Sequence, residues 1–60
     1  MGTKFYINGI NVTRKELNEL LGKCVVRELV MVATERKFIK SLLINHFNMG
    51  SYGRVTIWLV

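Results

Sequence analysis

Apolar and polar residues alternate at the start of the chain with the period of two that marks a half-buried strand. Phe5 and Ile7 point one way with Tyr6 opposed, and Ile10 and Val12 share a face across from Asn11. Between the runs stands Asn8-Gly9, a residue pair that tolerates the positive φ angles of a type I′ turn. The pattern predicts a hairpin of residues 4–7 and 10–13. Thr13-Arg14-Lys15-Glu16 then has the form of a capping box, in which the Thr13 hydroxyl accepts from the Glu16 amide and the Glu16 carboxylate reaches back. Leu17, Leu20 and Leu21 follow at helical spacing, and Gly22 is placed to end the helix after roughly two turns.

The stretch from Lys23 to Phe47 holds no Gly, Pro, Asn or Asp before Asn45. Val25, Val26, Leu29, Val30 and Ala33 form one helical stripe, but its continuation falls on Arg36, Lys37 and Lys40, whereas the later stripe is Phe38, Ile39, Leu42 and Leu43. The register breaks near Thr34, which suits an N-cap, with Glu35 favourably placed against the helix dipole. The expectation is a second helix over 35–47, with residues 24–33 either a buried strand, favoured by four valines, or a short helix, favoured by Arg27-Glu28. The strand is preferred.

Residues 48–53 read as a glycine-bearing loop and 54–60 as a last strand, apolar on both faces: Val55, Ile57 and Leu59 on one, Trp58 and Val60 on the other. Such a strand is expected to be covered twice, the second cover being a helix, another subunit or a target. Together the elements predict a single α+β domain over 1–60, ββαβαβ-like, with a mainly antiparallel sheet and two helices; ββααβ and winged-helix-like orders are the alternatives.

Composition narrows what such a domain can do. Half of the sixty residues are apolar and the mean hydropathy is +0.25, more than so small a body can hide, so part of the surplus is expected on a partner surface, a second copy included. No run reaches the roughly 18 apolar residues of a membrane span, and residues 1–8 lack the apolar segment of a signal peptide, so a cytoplasmic protein without membrane contact is expected. The Asn11-Val12-Thr13 sequon carries no weight without other signs of secretion. Cys24, the lone cysteine, permits no internal disulfide, and with His46, the lone histidine, it is too little for a structural zinc set; no metal or cofactor is implied.

Catalytic readings fail on inventory. Glu16 belongs to the cap and Glu19 to a solvated face, and a Cys24–His46 nucleophilic pair wants a third orienting group and a pocket. Cys24 reads as a small buried hydrophobe, His46 as a partner for the last carbonyls of the second helix, and residues 50–53 as a turn rather than a phosphate loop. A non-enzymatic binding protein is therefore expected. Nine Lys and Arg against four Glu give a formal charge of +5, a field that favours DNA or RNA, acidic proteins or anionic surfaces. Arg36, Lys37 and Lys40 lie off the apolar stripe as a positive ridge, and the loop beyond carries Tyr52, able to stack on a base, and Arg54, able to clamp a phosphate. Arg14 and Lys15 open the first helix as a second anion site. Equal weight goes to an ordinary solvated helix face with Tyr52 packed over its loop.

The segment Lys4-Phe5-Tyr6-Ile7-Asn8-Gly9 to Val12-Thr13-Arg14-Lys15-Glu16-Leu17, a small hairpin running straight into a capped helix, resembles the start of many small accessory proteins encoded by bacteriophages. The resemblance covers about a quarter of the chain and transfers no functional residue. It implies regulation of phage genes, or inhibition of a host or defence protein, in the host cytoplasm. Two readings stand: nucleic-acid binding through Arg36, Lys37, Lys40, Tyr52 and Arg54, and a protein-binding inhibitor docking through Trp58, Val60 and the edge of the last strand.

Overall fold

The computed structural model describes residues 2–60. Its elements are β1 (Thr3–Ile7), β2 (Ile10–Val12), α1 (Arg14–Leu21), α2 (Lys23–Lys40), β3 (Ile44–Asn48), a 3₁₀ turn (Gly50–Tyr52) and β4 (Arg54–Leu59). The four strands form one antiparallel sheet in the order β2-β1-β4-β3, and the fold is α+β. Both helices lie on one face. Leu17 of α1 and Val26 and Ala33 of α2 are buried against Phe5, Val55, Ile57 and Leu59, and Ile7, Val12, Leu21, Leu29, Val30 and Phe47 close the margins.

The local signals at the N-terminal end act as expected. Asn8 and Gly9 both take positive φ in the β1–β2 turn. The Glu16 amide donates to the Thr13 hydroxyl at 3.1 Å, and the Thr13 amide donates to the Glu16 carboxylate at 2.8 Å. Gly22, at φ 99°, is the joint between the helices: its amide closes α1 on the Asn18 carbonyl and its own carbonyl accepts from Val26.

Beyond Gly22 the structure corrects the expectation. Residues 24–33 are not a strand, and the second helix is not 35–47; one helix runs from Lys23 to Lys40, and β3 occupies the place of its expected last turn. The chain order is ββααββ, neither the ββαβαβ expected nor either alternative. Val26, Leu29, Val30 and Ala33 follow helical spacing and face the sheet, while Arg27 and Glu28 stay in water. At 1.5 Å per residue an 18-residue helix is about 27 Å long, whereas a strand of five or six residues spans under about 20 Å. The helix overruns the sheet, so the break near Thr34 is a break in burial and not in structure. Thr34 is no cap: within the helix, its hydroxyl donates to the Val30 carbonyl at 2.8 Å. Phe38, 90% exposed, and Ile39 lie on the overhang.

Ser41 ends α2 in the left-handed conformation, φ 58°, its amide donating to the Lys37 carbonyl at 3.0 Å. The chain then enters β3, where Asn45 and Phe47 turn toward the helices and Ile44, His46 and Asn48 away, as their pairing with Trp58, Thr56 and Arg54 requires. Two further expectations change. The last strand is interior, paired on both sides, so it offers no edge. The helices cover its Val55, Ile57 and Leu59 face, and among the described residues no helix supplies the second cover expected for the other face. Cys24 is exposed rather than buried.

One long-range contact fixes the start of β4. The Asn8 amide donates to the Arg54 carbonyl at 2.8 Å while the Arg54 amide donates to the Asn8 side-chain oxygen at 2.9 Å. A Cβ on Gly53, which sits at φ 85°, would run into the Asn8 side chain. Gly53→Ala should therefore lower stability by about 1–3 kcal/mol, read from urea unfolding, since backbone strain and displacement of the clamp add. The cap makes a second prediction. Hydrogen bonding to the carboxylate from Thr13, first from its backbone amide and then from its side chain, holds the Glu16 carboxyl below its ordinary value of 4.5. With the folded pKa depressed, the stabilisation is present above that value and is lost as pH falls through the folded one. Glu16→Gln should flatten the loss of stability below about pH 4.5 and leave neutral-pH cooperativity intact.

Candidate nucleic-acid interface

The strand alternation that buries Phe5, Val55, Ile57 and Leu59 sends their neighbours to the opposite face, which no helix covers. Register brings them into rows. Tyr6 lies between Asn11 and Thr56, and His46 lies beyond Thr56; Trp58 lies between Lys4 and Ile44; Arg54 pairs with Asn48. Tyr6, His46, Ile44, Arg54, Thr56 and Trp58 line one shallow hollow with Gly9, and Lys4, Tyr6, Asn11 and Arg14 line a second beside it. The His46 Nδ1 and the Thr56 hydroxyl are hydrogen-bonded at 2.8 Å, fixing the imidazole across the strand pair. Lys4 places its ammonium 5.0 Å from the Trp58 ring centre.

This face has three ring systems, two cationic side chains from the strands and a third at its margin in Arg14. All four glutamates lie on α1 and α2, so among the described residues no carboxylate stands on the strands. Flat π surfaces, half-exposed at Tyr6 and Trp58 and exposed at His46, with positive charges beside them are what unpaired bases and the phosphates between them require.

The sequence-predicted residues divide. Arg54 and Arg14 belong to the face or its margin, and so does Trp58, which had been expected at a protein interface. Lys37 and Lys40 line neither hollow: they stand in the last turn of α2, and β3 runs about 13 Å from its start before reaching Asn48 and Arg54. Tyr52 is in the 3₁₀ turn at the Arg54 end, and Val60 lies past the end of β4. Lys15 is exposed on the first turn of α1 and lines neither hollow. Arg36 has structural work. Its Nη1 donates to the Oδ1 of Asn45, which is only 2% exposed, at 3.3 Å, and its guanidinium lies 5.3 Å from the Phe47 ring centre. The Asn45 amide in turn donates to the Leu42 carbonyl at 3.3 Å.

His46 is not beside the last carbonyls of a helix, as the sequence suggested; it is on β3, on the sheet face away from α2 and hence away from Cys24. Lys4, Tyr6 and His46 stand on this candidate face without having been expected there from the sequence. The signal for Tyr6 was present in the alternation that set it opposite Phe5 and Ile7. No family model, curated protein or solved structure matches the chain.

The different roles of the α2 cations are separable. Arg36→Ala leaves the buried Asn45 oxygen without its donor and should cost about 1–3 kcal/mol, whereas Lys37→Ala should stay within about 0.5 kcal/mol of the parent in the same denaturant titration.

Proposed function

We propose that the protein acts by binding single-stranded nucleic acid, DNA or RNA, on the open face of its sheet. The observation that carries the reading is the joint placement of Tyr6, His46 and Trp58 with Lys4 and Arg54 on a strand surface bare of carboxylates. Bases stack on the rings and phosphates meet Lys4, Arg54 and Arg14. The Lys4 contact with Trp58 does not close the site: a cation over an exposed ring is worth about 0.5–1 kcal/mol, less than the about 1–3 kcal/mol of a stacked base, so the ammonium gives way and takes a phosphate. A duplex is a poorer fit, because its bases are already stacked on one another and offer no free ring faces.

Titrating oligo(dT) and oligo(U) while following Trp58 fluorescence tests this directly. Quenching should saturate, and log affinity should fall with log salt at a slope of about −2 for three phosphates. Tyr6→Ala and Trp58→Ala, the latter followed by anisotropy of a labelled oligonucleotide, should each weaken binding by about 5- to 150-fold with the fold retained. Lys37→Glu with Lys40→Glu should change it by less than about tenfold, those residues lying off the face. Absence of quenching at low salt, or binding abolished by the α2 double variant and spared by the ring variants, would refute the assignment.

A further inference from the structure

We infer that α2 pairs with α2 of a second copy, side by side and parallel about a two-fold axis, through Met31 and Phe38. At about 100° per residue, Val26 and Ala33 lie roughly 140–160° around the helix from Met31, so Met31 marks the side turned away from the sheet. Cys24 and Phe38, seven residues to either side, fall within about 20° of it. The three make one stripe, all exposed, with Phe38 90% and Met31 56% accessible. Beside Phe38 the helix is hollowed between Val30, Met31, Thr34 and Glu35, a concavity able to receive an apolar side chain.

Charge selects both the occupant and its direction. Lys23 and Arg27 border the stripe on one side, Glu28 and Glu35 on the other, and all four are exposed. A parallel copy brings the basic border of each helix against the acidic border of its partner, with Arg27 beside Glu28 of the second copy. An antiparallel copy sets the acidic border against itself, with like charges at one level. The helix is thus complementary to itself in one orientation only. The pairing leaves the two sheet faces pointing outward and free, and it does not depend on what they bind. A single helix pair buries less than a standard interface of about 800 Å² per partner, so the association is weak and reversible.

The test is the mass of the full chain by light scattering from about 10 µM to 1 mM, together with mild oxidation at Cys24, which the parallel pairing brings next to its own copy. Mass should double across that range, and oxidation should yield a disulfide-linked dimer. Phe38→Glu should reduce the linked fraction by at least about tenfold with circular dichroism unchanged, because Phe38 has nothing to lose in the single chain. Glu28→Arg should weaken the dimer, and adding Arg27→Glu should restore it, which a merely structural defect would not do. Three outcomes would overturn the proposal: a monomer at the highest concentration, a dimer that Cys24 cannot link, or linkage untouched by Phe38→Glu.

Discussion

Burial is confined to one side of the sheet. Leu17, Val26 and Ala33 press on Phe5, Val55, Ile57 and Leu59, and both helices stand on that side. One face is therefore sealed and the other left to water. Its occupants reflect that division: where burial demands Val and Ile, water admits Lys, Arg, His and Thr, together with aromatic rings whose edges are polar. Ala33 has a particular part, since a small residue at the centre of α2 lets the helix backbone approach the strands.

What could be read from sequence was local. Asn8-Gly9, the Thr13–Glu16 box and Gly22 each act on immediate neighbours, and each marks its element correctly. The errors begin where tertiary context decides. The apolar stripe of α2 fades after Ala33 because the sheet beneath it ends, yet a change of stripe is also how a new element announces itself. Ser41, lacking the usual glycine, gives little warning that it adopts a left-handed conformation and ends the helix. Asn45 and Phe47 then alternate as strand residues, but a buried Asn disguises the pattern, and its partner Arg36 comes from another element.

The candidate face was legible strand by strand but not as a surface. Alternation alone sets Tyr6 opposite Phe5, and Trp58 opposite Ile57 and Leu59. Nothing in either run shows that β1 and β4 are neighbours, so Lys4 over Trp58 and Tyr6 beside Thr56 emerge only from pairing. Charge is divided between the two surfaces in a related way. The densest group of cations, on α2, drew attention, yet Arg36 supports a buried amide, and glutamates on the same helix offset part of the charge. The strands have fewer cations and no carboxylate against them.

The central strands of the sheet come from opposite stretches of the chain: Phe5 faces Ile57, and β2, both helices, β3 and the 3₁₀ turn all lie between them in sequence. Each hairpin and each helix can form from near neighbours, but β1 and β4 meet only after a long loop has closed, at an entropic cost that grows with its length. The seam between them is the pairing that carries the largest loop-closure cost in the sheet. A chain interrupted before β4 would lose Val55, Ile57 and Leu59, the surface against which an eight-residue helix and a two-stranded ribbon, each marginal alone, are held.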